Sequence, residues 1–303
     1  MKRYIRKLRG AIRDPQRAAR ILWNDGLHKV YARLRFAPRK RCTFKFNTTT
    51  IVFDTSDSYS KEWFYPRCAD GSYHEPAVTE LCIQLAPSAP SFVDVGAHLG
   101  YFSILMGKLM NSRPVLAYEM DDRAYERLKR NVALNLLNNL QLHHIAIAGE
   151  DKTISYRRLP MLDSGESISY EGSDDPERSI TGVTLDRVFS ESGIKPGVIK
   201  IDVEGAEHEV LMGAHKTLSQ TPVLLLEIHG KKLALFGSDS QKVIALLEEK
   251  GYDVYEIQDH RMASTPSLLP LTSNQEPFER NTMTLVLPKD HSIADMPKLW
   301  NTL

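Results

Sequence analysis

The sequence of 303 residues has few cysteines and no long apolar run. Cys42, Cys68 and Cys82 are too few and too far apart for a disulfide framework or a tight thiolate metal site. An odd, low count suits a reducing compartment. No uncharged apolar stretch approaches the ~18 residues that a membrane-spanning helix needs. The basic segment Met1–Arg13 lacks the apolar core of a secretory signal. These absences lead to the expectation of a cytoplasmic protein, with room for peripheral membrane contact. There is no internal repeat and no low-complexity run.

What is present is an ordinary globular composition, 42% hydrophobic and 25% charged, with an uneven distribution of charge. Residues 1–41 hold 14 Lys and Arg against Asp14 and Asp25, a balance of +12. The rest of the chain keeps 25 basic and 36 acidic residues, a balance of −11. After Pro15, apolar residues recur at Ala18/Ala19, Leu22/Trp23, Leu27, Val30/Tyr31 and Leu34, which is the stripe of an amphipathic helix. This arm (1–41) has three readings: self-association or packing on the acidic body, contact with an anionic membrane surface, and nucleic-acid binding. Aromatic residues are not interleaved with the basic ones, so nucleic acid is not expected.

Residues 42–90 read as a lead-in, with a strand pair across 43–53 and a short helix over 77–85. From residue 91, strands and helices alternate. Strands are expected at 91–95, 114–119, 140–148, 198–203, 223–228, 252–257 and 282–287. Helices are expected at 101–110, 121–137, 185–192, 206–218 and 241–250. The polar stretch 151–178 reads as a hairpin or an irregular insert. This rhythm implies a mostly parallel sheet covered by helices on both faces. The long connection 258–280, with Pro266, Pro270 and Pro277, reads as a lid-like insert.

The most informative segment is Asp94-Val-Gly-Ala-His-Leu-Gly-Tyr-Phe-Ser103, where an apolar strand hands over to a helix. Gly96 and Gly100 permit a sharp turn and close approach of backbone to ligand, and the helix start offers free N–H groups. The spacing departs from the dinucleotide pattern G-x-G-x-x-G, which disfavours a nicotinamide oxidoreductase. Asp94 would repel a pyrophosphate but suits an ammonium group. Glu119, ending the next strand, suits the two hydroxyls of a ribose. An amino-acid end at one strand and a ribose at the next describe S-adenosylmethionine.

That run, together with Tyr118-Glu119, Asn131-x-x-x-Asn135 and Val198-Ile-Lys-Ile-Asp-Val-Glu-Gly-Ala-Glu207, resembles the FkbM-type methyltransferases over about residues 73–230, with weaker likeness to 287. The resemblance implies a Rossmann-like α/β fold of class I methyltransferases, a seven-stranded sheet with a reversed last strand, and O-methylation of sugars or natural products. It places Glu75, Asp94, Gly96, His98, Gly100, Glu119, Met120 and Ala146 about the cofactor; Glu75 reads equally as a helix-start carboxylate. Met120-Asp-Asp replaces a proline-containing turn common in the family, and the arm lies outside the shared region.

Methyl transfer needs an acceptor oxygen in line with the methyl and a destination for its proton. In parallel strands the carboxyl ends face one side, and alternate residues share a face. Asp202 with Glu204, and Glu227 with His229, can therefore converge. His229 is the expected base, since imidazole titrates near neutrality. Asp202 orients it or holds an acceptor hydroxyl, and Glu204 binds substrate or caps the next helix. Lys200 is expected to pair with a carboxylate such as Glu227. Carboxylates with a histidine also resemble an oxygen-rich divalent site, but spacing fixes no geometry and no metal ligand is assigned. His143-His144 reads as a strand edge. The sequence thus points to an O-methyltransferase acting on a small-molecule or glycan hydroxyl. N-methylation and cofactor binding without turnover remain as alternatives.

Overall fold

A computed structural model describes residues 38–46, 49–68, 73–158, 168–169, 178–289 and 291. The basic helix expected within residues 1–41 falls almost wholly outside them. Two compact units divide between Tyr73 and His74, so the helix over 77–85, assigned to the lead-in from sequence, falls in the second unit.

In the first unit, β1 (Arg41–Phe46) and β2 (Thr49–Asp54) pair antiparallel, as expected for 43–53, and α1 (Ser58–Cys68) follows. Inward residues alternate along β1, and Phe44, Phe53 and Phe64 pack ring against ring with centroids 4.3–6.1 Å apart. Tyr65 donates its hydroxyl to the Arg41 carbonyl at 3.1 Å, fixing the helix to the hairpin.

The second unit opens with α2 (Pro76–Leu85), whose proline occupies the first turn, where no N–H is needed. It continues through β3 (Phe92–Val95), α3 (Tyr101–Leu109), β4 (Val115–Tyr118), α4 (Asp122–Asn135), β5 (Leu140–His143), β6 (Ala146–Ile147), β7 (Lys152–Arg158), β8 (Ile168–Ser169) and β9 (Arg178–Val183). Next come α5 (Leu185–Ser192), β10 (Val198–Ile201), α6 (Glu207–Met212), α7 (His215–Leu218) and β11 (Val223–His229). The described part closes with α8 (Ser240–Glu249), β12 (Tyr252–Gln258), β13 (Ser267–Leu271) and β14 (Asn281–Pro288).

The main sheet has the order β13-β12-β14-β11-β10-β3-β4-β5. β14 runs antiparallel to both neighbours, while β11, β10, β3, β4 and β5 are mutually parallel. This is the Rossmann-like α/β arrangement with a reversed last strand. The strands nearest the centre, Val198-Ile-Lys-Ile and Val223-Leu-Leu-Leu, are buried at every residue. That is the signature of strands covered on both faces, and each fully buried Leu or Ile contributes roughly 1.5–3 kcal/mol. Caps set the helix starts: Asp121 accepts from the Arg123 and Ala124 N–H groups, Thr184 from Arg187, and Asp239 from Lys242.

Three sequence expectations change. The sheet has eight strands rather than seven, because part of the 258–280 connection forms β13 and pairs antiparallel with β12 along the edge. The single strand expected over 140–148 breaks at His144–Ile145. Its second half leaves the main sheet and pairs with β9. The hairpin expected within 151–178 is the antiparallel pair β7–β8, and β7 also pairs antiparallel with β9, a strand that no sequence expectation covered. The helix expected over 206–218 breaks at Gly213. A Cβ there would sit 2.4 Å from the Ala148 carbonyl oxygen, and Asp186 caps the restarted turn through the Lys216 and Thr217 N–H groups.

Candidate active site

The loop between β3 and α3 is held by its neighbour strands. The N–H groups of Gly96 and Ala97 both donate to the Tyr118 carbonyl at 3.0 Å. Gly96, His98 and Gly100 take left-handed backbone angles, φ 84°, 53° and 85°. A Cβ on Gly96 would lie 2.0 Å from the Asp202 carbonyl oxygen, so this loop and the turn after β10 touch backbone to backbone. Asn131, fully buried on α4, donates to the Leu99 carbonyl at 2.7 Å. Asn135 donates to Asn131 in turn, so the paired asparagines brace the loop from below.

Glu119, immediately after β4, accepts from the His98 N–H (2.7 Å) and the Asp121 N–H (2.8 Å), one on each oxygen. Burial pushes its carboxyl up to about 7, against the opposing pull of those two donors. Asp94 is buried to 1% exposure and its Oδ2 accepts from the Ser103 hydroxyl at 2.5 Å; its Oδ1 is buried without a hydrogen-bond partner. Burial raises its carboxyl too, opposed mainly by the charge of Lys200. Met120 packs on the small cluster of Ala146, Tyr156 and Ile180, which brings both residues expected near the adenine to one apolar wall beside Glu119. His143 stacks on Tyr118 (4.7 Å) and His144 on Tyr125 (4.8 Å), so this pair is engaged at a strand edge, as read from sequence.

On the far side of the Gly96 contact, the ends of β10 and β11 and the start of α6 contribute a charged cluster. His229 ends β11 with its Nδ1 2.8 Å from Glu207 Oε1, while its Nε2 lies 3.2 Å from Glu204 Oε2, 3.8 Å from Asp202 Oδ1 and 4.0 Å from Glu227 Oε1. Asp202 and Glu204 do meet, but not by strand alternation. β10 stops at Ile201, and a turn with left-handed Glu204 (φ 56°) and Gly205 (φ 114°) swings the second acid back. Glu204 does not cap α6. Ala206 holds that position with no side-chain cap, and Glu207, the first residue of the helix, accepts from the Gly205 N–H at 2.8 Å through its Oε1.

Two expected roles change. Lys200 pairs with Asp202 at 3.0 Å, while Glu227 receives Arg261 at 3.0 Å. Burial disfavours a charge on His229, but the hydrogen bond to Glu207 and the charges of Glu207, Asp202 and Glu204 outweigh it and hold the imidazole up to about 9. In the protein alone it is therefore an imidazolium at neutral pH, not the free base that its ordinary titration range suggested. Burial likewise opposes ionisation of Asp202, but Lys200 and His229 draw its carboxyl below the usual range. Glu227 moves the other way, because burial and the charges of Asp202 and Glu75 outweigh His229 and Arg261.

Sequence reasoning missed Glu207, Lys232 and Arg261. Glu207 stood inside the quoted Asp-Val-Glu-Gly-Ala-Glu run and was legible as a motif member without a role. Lys232 meets Glu204 at 2.5 Å from just beyond β11, and Arg261 reaches both Glu227 and Glu75 from the 258–280 connection. No local pattern marks either residue. Glu75 is buried at the start of α2, with Arg261 Nε 3.8 Å away.

The family described as the methyltransferase FkbM domain matches residues 94–254, just over half of the chain and the whole span from Asp94 through β12's Val254. The chain belongs to the FkbM methyltransferase family. It is similar to methyltransferase sdnD of Sordaria araneosa, 27% identical over 213 residues that cover 58% of this chain and 79% of the relative. It is also similar to the hexuronic acid methyltransferase AglP of Haloferax volcanii, 28% identical over 177 residues that cover 58% and 68%. Among solved structures, it aligns with a precorrin-6y C5,15-methyltransferase of Geobacter metallireducens at 13% identity and TM-score 0.39, covering 70% of this chain and 86% of the other. It aligns with M. jannaschii TYW2 in complex with AdoMet at 14% identity and TM-score 0.36, covering 82% and 85%.

This FkbM methyltransferase uses S-adenosylmethionine as its cofactor. The residues present fit it: the orphaned buried oxygen of Asp94 is an acceptor awaiting a donor, and the Gly96 turn leaves no room for a side chain on the face it packs.

Proposed function

We propose that the chain methylates a hydroxyl oxygen of a carbohydrate or secondary-metabolite acceptor. Supporting this reading is the direct abutment of the glycine loop on Asp202, which puts the His229–Asp202–Glu204 cluster next to the cofactor loop. The hexuronic acid methyltransferase among its relatives favours a sugar acceptor.

When bound, S-adenosylmethionine supplies the methyl group as an electrophile on a sulfonium. Glu119 would receive the ribose hydroxyls, Asp94 and Glu75 the amino-acid end, and His98, Gly96 and Gly100 the backbone path between them. Met120 and Ala146 would wall the adenine. On the acceptor side, His229 is oriented by Glu207 and holds the acceptor oxygen, with Asp202 fixing the approach. Glu204 takes the hydroxyl proton. It is the most exposed acid of the cluster, its side chain one-third exposed (33%), so it can pass the proton to water. Such general-base help is worth about 10²–10⁴-fold.

The test is a methyl-transfer screen with labelled cofactor over sugars, lipids and polyketides, using wild type and His229→Ala. An O-methyl product lost in the variant, with cofactor binding kept, supports the reading. Methyl appearing on nitrogen, or binding without turnover on every acceptor class, overturns it.

For the arm at 1–41 we propose self-association or contact with an anionic membrane surface, on the strength of its +12 balance. Deleting residues 1–35 should leave cofactor affinity nearly unchanged while altering sedimentation or vesicle binding. Unchanged behaviour in both assays would remove this role.

A further inference from the structure

His229 is arranged as a metal-binding histidine is. Its Nδ1 is tied at 2.8 Å to a fully buried carboxylate, Glu207, which turns Nε2 towards Glu204 Oε2 at 3.2 Å and, beyond it, towards oxygens of Asp202 and Glu227. A carboxylate behind one ring nitrogen, fixing the tautomer and aim of the other, is the usual second layer of a metal site. Nε2, Asp202 Oδ1 and Glu227 Oε1 stand with the nitrogen 3.8 and 4.0 Å from the two oxygens, and one donor atom from each of the three residues falls within 4.8 Å of the others. Donors bound to one ion at about 2.0–2.3 Å lie roughly 3 to 4.6 Å apart, depending on the angle at the ion.

The charges point the same way. Asp94, Asp202, Glu204, Glu207 and Glu227 are five carboxylates at adjoining strand ends and the turn between them, and their lysine and arginine partners are the three cations Lys200, Lys232 and Arg261. Arg261 is moreover shared with Glu75. The acids of the cluster therefore outnumber its lysine and arginine partners.

We infer that Asp202, Glu227 and His229 form a site for a hard divalent cation of the Mg²⁺/Mn²⁺ class, resting on the methyltransferase reading above. Asp202 divides its oxygens, Oδ2 to Lys200 and Oδ1 to the ion. Arg261, 60% exposed, yields Glu227 when the ion enters. Three protein ligands fill roughly half of an octahedral shell and leave the rest to water and the acceptor oxygen. The ion lowers the acceptor hydroxyl's pKa, and Glu204, outside the triad, receives the proton.

The experiment is Mn²⁺ titration of the chelator-treated full-length protein followed by electron paramagnetic resonance, with S-adenosylmethionine binding measured by calorimetry on the same samples. One site tighter than about 1 mM, with nitrogen coupling that changes on ¹⁵N labelling, is the expected result and needs no variant. Asp202→Asn and His229→Gln should each weaken Mn²⁺ at least tenfold, and the second should abolish the nitrogen coupling. Absence of Mn²⁺ binding at that concentration, or binding indifferent to both substitutions, overturns the site. If the protein still binds S-adenosylmethionine and transfers methyl in chelator, the metal inference fails while the methyltransferase reading stands.

Discussion

Glu207 and His229 share a single short contact, 2.8 Å from carboxylate Oε1 to ring Nδ1, in a place where neither side chain is more than 2% exposed. The same oxygen accepts from the Gly205 N–H. One buried atom therefore fixes both the turn that carries Glu204 and the ring that faces it. Glu207→Ala strips a partner from each. Transfer should fall about 10–100-fold, while calorimetry finds cofactor affinity within threefold of wild type. Equal losses in both would mean that Glu207 only supports the fold.

Cofactor affinity should depend on pH through Glu119. Its carboxyl keeps its proton up to about 7 because burial disfavours the charge. The ionised form, which would accept the ribose hydroxyls under the proposed reading, is then mostly present at pH 8 and mostly absent at pH 6. The dissociation constant should weaken about tenfold from pH 8 to pH 6. Glu119→Gln, which does not titrate, should bind weakly and flatten this dependence. A steep slope persisting in that variant would assign the effect to another group.

Gly96→Ala meets two penalties at once, a backbone angle of φ 84° and a Cβ 2.0 Å from a main-chain oxygen. Backbone cannot step aside as a flexible side chain can. The substitution should cost about 3 kcal/mol or more in urea unfolding and abolish cofactor binding. Gly193→Ala, with a similar φ of 64° but open space around it, should cost much less.

Asn131→Ala removes the 2.7 Å bond to Leu99 and leaves a buried carbonyl unpaired. A loss of about 1–3 kcal/mol is expected, with weaker cofactor binding because the glycine loop loses its brace. Thermal unfolding with and without S-adenosylmethionine separates the two effects.

Local chemistry made much of this protein legible before any coordinates. The continuous apolar runs at 198–201 and 223–226 mark strands covered on both faces, and Gly96 and Gly100 mark a turn that needs left-handed backbone. The acids at 94 and 119 fall at the ends of adjacent parallel strands, as their spacing implied. The FkbM resemblance, carried by short runs within the region that the family matches, held for the same reason: those runs encode strand, turn and cap together.

Other features depended on residues far apart in sequence. The helix expected over 206–218 has no breaker that a local rule would flag beyond Gly213, and what breaks it is the backbone of Ala148 and Gly149 pressing on that glycine. Part of the 258–280 connection became a strand because β12 offered an open edge. Most of all, the partners of the charged groups were settled in three dimensions. Lys200 took Asp202, Arg261 took Glu227, and Glu207 took His229. A histidine's ordinary pKa belongs to water. The carboxylates that fold around this one moved it to about 9, and no count along the chain contains that distance.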